Sequence, residues 1–479
     1  MAEFIVAIEL GSSKITGVAG KKNLDGSINV LAVVREDSSS FIRKGVVNNI
    51  DKTALCIKNI VQKLTAQLKT EITQVYVGVG GQSIRSVGNV IAKDLAPDTK
   101  VTLEMVIGIM DANRSMTYPD QEILDAADQE YKVDSQLQLD PVGMQCSRIE
   151  GNFLNILQRK KFYKNLNTCF ETAEINVAEM YLAPLALADS VLTEAERRSG
   201  CALVDIGADT TTVSVYSKNI LRHLSVIPLG SNNITKDIAS LQMEETEAEA
   251  MKLKYGCAYT ENADIDNTLM LPIDAERSVE SRKFIEIVEG RLEEIIENVW
   301  CQIPSDYYDK LLGGIILTGG GSNMPNIEKA FVNHTHIDKI RIAKFVTQTI
   351  VSTNPEVNAK NGTMNTVLGL LAKGDLNCAG EAIDASRDLF GTKQHAPAEQ
   401  RTKGRQATET PPGVVRTEAE KQQAEEEARR RKEEEERIAK EKAEEEARRI
   451  AEEKKENSPL NKGLNWFKKV AAKLTDPEE

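Results

Sequence analysis

Two acidic residues stand near the ends of apolar runs, and each precedes a turn of small residues. Glu9 precedes Gly11-Ser12-Ser13-Lys14, and Asp205 precedes Gly207-Ala208-Asp209-Thr210-Thr211. Glycine and serine after a strand let backbone N–H groups approach a phosphate, and Lys14 adds a positive charge. Because the two passages repeat one design, we expect them to face each other around a polyphosphate, with Glu9 and Asp205 holding Mg²⁺ through its waters.

A third glycine-rich passage follows another apolar run. It reads Gly313-Gly314-Ile315-Ile316-Leu317-Thr318-Gly319-Gly320-Gly321-Ser322. Such a turn lets a flat base and its sugar lie against the backbone. An ordinary tight turn would explain each passage alone, but the three passages in this order favour a nucleotide site.

The elements that must position these turns alternate between strands and helices. Apolar runs predict strands at residues 4–10, 75–79, 202–206 and 315–318, and helical periodicity predicts helices at 52–68, 173–193 and 285–300. After the first two turns β-type segments resume, at 14–19 and 211–216. A strand–turn–strand arrangement differs from the strand–turn–helix of Rossmann and Walker sites. The sequence therefore predicts an α/β fold with a duplicated β-hairpin domain.

Composition excludes several classes of protein. The 479 residues are 41% hydrophobic and carry a formal charge of −13, so the chain can build large cores and lacks the basic excess of a general nucleic-acid binder. Seven widely spaced cysteines without a CxxC pair indicate reduced thiols in a cytosolic protein. We find no signal peptide and no apolar run long enough to span a membrane, and we expect a chain that is neither exported nor membrane-spanning.

The composition changes near residue 392. Residues 391–412 are polar and carry proline and glycine, which indicates a flexible linker. Residues 416–456 contain 13 Lys/Arg and 16 Glu, and Glu-to-Lys/Arg pairs four residues apart favour a solvated helix, with a disordered tether as the alternative.

The last segment, 457–479, has an amphipathic pattern over residues 460–474. Its apolar side chains gather on one face and its lysines on the other, which is typical of a helix lying on an anionic membrane surface. Docking into a protein groove is the alternative. One copy should bind membranes reversibly, so stable attachment needs many copies held together. The predicted membrane-binding residues are Leu464, Trp466, Phe467, Lys468, Lys469, Val470, Lys473 and Leu474.

The three glycine-rich passages resemble the phosphate-1, phosphate-2 and adenosine motifs of the superfamily of actin, DnaK-type chaperones and sugar kinases. Within it, residues 4–375 and the C-terminal helix resemble the bacterial cell-division proteins of the FtsA family. The more specific signs are Glu9 in the first loop, RKGVVNNI at 43–50, LRH at 221–223, AEAMK at 248–252 with GCA at 256–258, and LTGG at 317–320.

The resemblance implies a two-lobed actin-like (ribonuclease-H-like) ATPase fold. Its expected parts are subdomain 1A at 1–80, 166–200 and 346–390; an FtsA-type subdomain 1C at 81–165; a second lobe (2A/2B) at 201–345; and then the linker with the charged segment at 391–456 and the membrane-targeting helix at 457–479. Glu249 and Lys252 would contact the ribose side, although an exposed helix ion pair is the alternative. Gly319, Gly320, Gly321 and Ser322 would line the adenosine pocket, and Glu9 and Asp205 would be the catalytic and metal-binding carboxylates for ATP and Mg²⁺.

Two departures from the superfamily pattern bear on catalysis. Asp209 stands where the phosphate-2 motif has its second glycine, and a carboxylate beside a polyphosphate is repulsive unless it faces Mg²⁺ or turns away. Ala183 stands at or near the place of the glutamate that orients attacking water in DnaK-type chaperones. We therefore expect ATP binding with slow or absent hydrolysis.

By the same resemblance, the chain would be an ATP-dependent, self-associating adaptor that forms filaments and links the division protein FtsZ to the cytoplasmic face of the inner membrane, at the division septum. The FtsZ C-terminal peptide would dock near helix 279–300, where Arg282, Lys283 and Arg291 could meet its acidic groups, unless they are solvated surface charges. Anionic lipid and other division proteins are further expected partners, and nucleic acid is not. A carbohydrate kinase of the same fold and a PilM-type pilus-assembly adaptor are the alternatives.

Overall fold

The computed structural model describes residues 3–382, apart from the side chains of residues 127–129, 381 and 382. The predicted linker and charged segment (391–456) and the predicted membrane-binding helix (457–479) lie outside this range. No helix within residues 3–382 is both long and apolar enough to cross a membrane. All seven cysteines are free thiols.

The first lobe begins with an antiparallel meander, followed by a small hairpin, a long helix and a parallel strand. The helix starts where the Asn49 side chain accepts a hydrogen bond from the backbone N–H of Lys52, and it buries Ile57, Ile60 and Leu64 at helical spacing. The elements are β1 (Ile5–Leu10), β2 (Lys14–Lys22), β3 (Ile28–Asp37), β4 (Ile42–Arg43), β5 (Val46–Val47), α1 (Ile50–Leu68), β6 (Thr70–Ile72) and β7 (Val75–Val79).

An insertion with its own hydrophobic cluster follows. Its core includes Val101, Ile109, Ile149 and Phe153. The elements are β8 (Arg85–Lys100), α2 (Leu103–Arg114), β9 (Gln121–Val133), β10 (Gln136–Gln138) and β11 (Gln145–Arg159).

The chain then returns to the first lobe and crosses into the second. The returning elements are α3 (Lys160–Ala173), β12 (Val177–Leu182), α4 (Ala183–Val191) and α5 (Glu194–Ser199). The second-lobe elements are β13 (Cys201–Ile206), β14 (Thr211–Ser217), β15 (Ile220–Ile227), α6 (Ser231–Ala239), α7 (Glu245–Tyr255), β16 (Met270–Pro272), β17 (Ser278–Glu280), α8 (Ser281–Gln302), β18 (Gly314–Thr318), α9 (Ile327–Thr335) and β19 (Ile340–Ile342). The described part ends with β20 (Ile350–Val351), α10 (Pro355–Asn358), α11 (Asn365–Lys373) and β21 (Ala379–Ala382).

The same five-strand unit occurs once in each lobe. The first sheet has the order β12-β7-β1-β2-β3-β20, and the second has the order β10-β9-β11-β8-β15-β14-β13-β18-β19. In each, an antiparallel three-strand meander (β1–β3 or β13–β15) is continued from its first strand by two parallel strands (β7 and β12, or β18 and β19). This repeat confirms the predicted two-lobed α/β fold with a duplicated hairpin.

The insertion is joined to the second lobe as well as to the first. Strand β8 pairs with β15 at Arg85 and Ser225, so that the strands of the insertion and those of the second lobe form one continuous sheet. The Arg222 guanidinium also donates two hydrogen bonds to Glu130 of the insertion, at 2.5 and 3.0 Å. Motion of the second lobe must therefore either carry the insertion with it or break these contacts.

The predicted helix at 173–193 is wrong over its first half. Helix α3 ends at Ala173 because Glu174 adopts the left-handed conformation. Residues Val177–Leu182 then form strand β12, which pairs in parallel with β7 at the edge of the first sheet. A new helix, α4, begins at Ala183 with Pro184 in its first turn, where the missing proline N–H costs nothing.

Candidate nucleotide site

The two predicted phosphate loops have the same backbone arrangement. Each is a four-residue connection between the paired ends of its strands, Leu10 with Ile15 in the first lobe and Ile206 with Thr211 in the second. The Gly11 N–H donates to the Lys14 carbonyl at 3.0 Å, and the Gly207 N–H donates to the Thr210 carbonyl at 2.8 Å. The duplicated fold therefore presents two equivalent turns, one from each lobe.

Glu9 and Asp205 occupy equivalent places, one residue before the ends of β1 and β13. Burial raises the pKa of the Glu9 carboxyl to about 7, and repulsion by Asp205 adds to the rise, while Lys14 and Arg35 oppose it. Burial also raises the pKa of Asp205, to about 6. Both residues keep part of their surface in contact with solvent. Two crowded, poorly solvated carboxylates are a donor set that a hard divalent cation would neutralise, so these residues fit a bound Mg²⁺.

The third glycine passage packs directly against the second loop. Gly319 has φ of +84°, and a Cβ placed on it would lie 2.3 Å from Asp205 Oδ1 and 2.6 Å from the Ile206 carbonyl oxygen. Only glycine fits here without moving the Asp205 carboxylate. At Gly320, by contrast, a Cβ would meet nothing nearer than Thr363, at 3.7 Å. The Ser322 hydroxyl is buried and donates to the Gly319 carbonyl at 2.7 Å, so Ser322 closes the turn.

The remaining predicted residues of the two phosphate loops differ in the solvent exposure of their side chains. The Ser12 hydroxyl is nearly buried and accepts a hydrogen bond from the Gly45 N–H at 2.8 Å, whereas Ser13 is exposed. Burial, helped by the Arg35 charge, lowers the pKa of Lys14. Thr210 keeps partial exposure, and the fully buried Thr211 hydroxyl donates to the Leu229 carbonyl at 2.9 Å. Thr211 therefore supports its loop from behind.

Glu249 and Lys252 form an ion pair of 2.7 Å on α7. Lys252 is buried rather than exposed, and its ammonium also donates to Thr235 Oγ1 at 2.7 Å and to the Ser231 carbonyl at 3.1 Å. Thr235 in turn donates to Glu249 at 2.5 Å. The pair therefore connects α7 to α6, whose first turn donates hydrogen bonds to the Gly207 and Ala208 carbonyls of the second phosphate loop. Its contact with a ribose stays a prediction.

Two side chains near Glu9 were missed by sequence reasoning. Pairing across the first sheet aligns Glu9 with Thr16 and Thr16 with Arg35, whose Nε lies 3.1 Å from Glu356 Oε2. The hydroxyl of Thr366, in the first turn of α11, lowers the pKa of Glu9 and so opposes the effect of burial. Hydroxyl and guanidinium groups both stabilise the ionised carboxylate, which limits the cost of burying it.

The three residues predicted to bind the FtsZ peptide lie on α8, which begins at Ser281 rather than at residue 279 because Val279 belongs to β17. Arg282 is exposed and lies 3.6 Å from Glu286, and Lys283 is exposed. Arg291 instead makes two hydrogen bonds to Asp237, at 2.5 and 3.2 Å, and also pairs with Glu294. Arg291 therefore holds α8 against α6 in this structure.

Comparisons with known proteins agree with this architecture. The sequence profile described as "Cell division protein FtsA" matches residues 202–369, and the profile of the SHS2 domain inserted in FtsA matches residues 81–157. The chain is 32% identical to the cell division protein FtsA of Porphyromonas gingivalis over 362 residues, which cover 74% of this chain and 76% of the relative. The chain belongs to the FtsA family of cell division proteins. The FtsA of Bacillus subtilis is 30% identical over 333 residues, covering 68% of this chain and 75% of that protein.

Among solved structures, the PilM–PilN type IV pilus biogenesis complex has the same fold. It aligns with a TM-score of 0.53 at 15% identity, covering 77% of this chain and 97% of the other. At that identity the likeness concerns the fold alone. Membership of the FtsA family thus favours a cell division protein over the two predicted alternatives, a pilus-assembly adaptor and a carbohydrate kinase. The SHS2 match lies within the predicted subdomain 1C at 81–165, while the individual domain boundaries stay predictions.

Proposed function

We propose that this FtsA-family chain binds Mg²⁺-ATP between its lobes and acts in cell division as a self-associating, membrane-attached adaptor for FtsZ. The observation that carries the nucleotide part is the pair of equivalent hairpin turns with Glu9 and Asp205 at their bases. Burial raises the pKa of both carboxyls, repulsion by Asp205 adds to the rise at Glu9, and a bound cation would stabilise the ionised forms.

Each group in the cleft has a separate role in this proposal. The Ser12, Ser13 and Thr210 hydroxyls, with N–H groups of the two turns other than those of Gly11 and Gly207, hold phosphate oxygens, and Lys14 adds a positive charge. Glu9 and Asp205 hold Mg²⁺ through its waters, and Mg²⁺ supplies charge neutralisation at the terminal phosphates. Gly320 leaves room for the adenosine, Gly319 and Gly321 let the same turn pack against Ile206, and Glu249 with Lys252 contacts the ribose side.

We propose that hydrolysis is slow or absent. Ala183 begins α4 beside the end of β7, where its Cβ lies 3.5 Å from a Cβ placed on Gly78. A methyl group there cannot orient an attacking water. A steady-state phosphate-release assay should therefore show little turnover under conditions in which ATP binding is saturated, and brisk release would contradict the proposal.

Calorimetric titration of ATP into the full-length protein tests the nucleotide site. We expect binding in Mg²⁺ and at least tenfold weaker binding in EDTA, a difference of about 1.4 kcal/mol or more. Equal affinity with and without Mg²⁺ would refute the role of Glu9 and Asp205.

The membrane part rests on the amphipathic pattern of residues 460–474 and the family membership. Co-sedimentation with vesicles that contain anionic lipid should pellet the full-length chain and leave a chain ending at Glu456 in solution. ATP should increase pelleting of the full-length chain, because filaments hold many weakly binding segments together. Equal pelleting of both proteins would remove the anchoring role.

The FtsZ part rests on the exposed cations of α8. An acidic FtsZ C-terminal peptide should bind the full-length chain, and Lys283→Glu should weaken binding at least threefold, with an effect that shrinks at high salt. Lys329→Glu, on helix α9, is the control because it alters charge by the same amount elsewhere on the second lobe. Equal effects of the two variants would show that only net charge matters.

A further inference from the structure

A small hairpin of the first lobe reaches both phosphate loops. Strands β4 and β5 pair Ile42 with Val47 and Arg43 with Val46, which leaves a two-residue turn at Lys44 and Gly45. Both have positive φ, 51° and 70°, as a type I′ turn requires. In such a turn the two central N–H groups have no partner within the hairpin, so they must find acceptors elsewhere.

Those two N–H groups bind one residue of each phosphate loop. The Gly45 N–H donates to Ser12 Oγ at 2.8 Å, within the first lobe. The Lys44 N–H donates to Asp209 Oδ2 at 3.2 Å, across to the second lobe. Neighbouring backbone donors of one turn therefore touch both of the loops proposed to hold the phosphates.

The Asp209 carboxylate is held from both sides. Its other oxygen, Oδ1, accepts a hydrogen bond at 2.8 Å from the side-chain amide of Asn232, in the first turn of α6. The second loop also lies close to that helix, since the Asn232 N–H donates to the Ala208 carbonyl at 2.7 Å. Asp209 thus connects the start of α6 to the turn at Lys44 and Gly45.

We infer that Asp209 is a positioning residue that holds the turn at Lys44 and Gly45 against the second phosphate loop, and that a bound polyphosphate displaces it. A carboxylate oxygen and a phosphate oxygen are equivalent acceptors for a backbone N–H. Two anionic groups cannot share one donor without repulsion, so the terminal phosphate takes the Lys44 N–H only when Asp209 withdraws. This inference rests on the proposed nucleotide function for its second half only.

The displacement has a cost that lowers the apparent affinity for nucleotide. The competent state, with Asp209 withdrawn, is populated to a small fraction in the free protein, and the observed dissociation constant is larger by the inverse of that fraction. Removing the carboxylate should therefore loosen the free protein at Lys44 and tighten nucleotide binding. A simple ligand role for Asp209 predicts the opposite change in affinity.

Amide hydrogen exchange resolved to single residues tests the first half without nucleotide. In the full-length chain, Asp209→Ala should speed exchange of the Lys44 amide at least tenfold and leave the Gly45 amide, held by Ser12, much less affected. Ser12→Ala should produce the reverse pattern. Asp209→Asn keeps the shape and one acceptor oxygen, so its Lys44 amide should exchange at an intermediate rate. An unchanged Lys44 amide in both Asp209 variants would overturn the inference.

Fluorescent ATP-analogue titration in Mg²⁺ tests the second half. Asp209→Asn and Asp209→Ala should each bind at least threefold more tightly than the parent. Weaker binding by either variant would overturn displacement and make Asp209 a ligand of the nucleotide or its metal. If the parent binds no nucleotide, the proposed nucleotide function and the displacement both fail, while the exchange experiment still decides the Asp209 bridge.

Discussion

Gly319→Ala should destabilise the protein and disable the nucleotide site together. The residue has φ of +84° and ψ of 173°, a region used almost only by glycine, where other residues cost about 1–3 kcal/mol. The added Cβ would also lie 2.3 Å from Asp205 Oδ1 and 2.6 Å from the Ile206 carbonyl oxygen, and relieving such overlap costs about 1–3 kcal/mol more. We expect a loss of about 2–6 kcal/mol in the free energy of unfolding. Because Asp205 must move, Mg²⁺-dependent ATP affinity should fall at least tenfold.

Chemical denaturation of both glycine variants provides the assay. Gly320→Ala is the control for stability, because its Cβ has 3.7 Å of clearance and alanine reduces the entropy of the unfolded chain. It should be as stable as the parent or slightly more stable. ATP titration of Gly319→Ala then measures the effect on the site under conditions in which the variant is folded. Equal stabilities of the two variants would refute the claim that the third passage contacts Asp205.

Three further predictions concern stability. The folded-state pKa of Glu9, about 7, lies above its ordinary value of 4.5, so the folded protein binds more protons than the unfolded chain between these pH values. The free energy of unfolding without Mg²⁺ should therefore fall as pH rises from about 4.5 to 7. Thermal melts should show a smaller fall for Glu9→Gln, and an equal fall would contradict the assignment. Tyr76→Phe should lower the free energy of unfolding by about 1–3 kcal/mol, because the Tyr76 hydroxyl accepts hydrogen bonds from the N–H groups of Asp375 and Leu376. Tyr181→Phe loses only a contact with the exposed Glu179, so it should lower the free energy of unfolding less in the same urea titration. Arg222→Met should lower the free energy of unfolding by about 2 kcal/mol, because Glu130 loses its two hydrogen bonds from Arg222. Arg148→Met should lower it less, because Arg148 is exposed where it pairs with Asp94 and Glu150. A smaller loss for Arg222→Met than for Arg148→Met would show that the Arg222–Glu130 pair contributes little.

Local features of the sequence predicted the two hairpins well. Strand β7 was predicted with its observed bounds, and the strands before the two turns differ by one residue at their first positions. Short hairpins are specified by alternating apolar residues and by turn glycines, which are visible within a dozen residues. The repeat of the hairpin in the sequence also correctly predicted a duplicated fold with one such turn in each lobe.

Features that depend on distant pairing were missed. Strand β12 looked helical because its identity depends on pairing with β7, about a hundred residues earlier in the chain. Arg35 was missed because a register shift between Ala19 and Gly20 moves it opposite Thr16. Counting back from the regular pairs at Lys22 and Ile28 would set Arg35 opposite Ile15, on the other face of the sheet. The hydrogen bonding of the Asp209 carboxylate likewise depends on the Lys44 N–H, which belongs to the other lobe.

The central claim is that one magnesium-bound nucleotide is shared by the two lobes through Glu9 and Asp205. A calorimetric double-mutant cycle tests it most directly, with Mg²⁺-ATP titrated into the parent, Glu9→Gln, Asp205→Asn and the double variant. We predict that each single substitution weakens binding at least tenfold and that the double variant is weakened far less than the product of the two, because both residues hold one ion. Independent, multiplicative losses, or unchanged affinity in either single variant, would contradict a shared site.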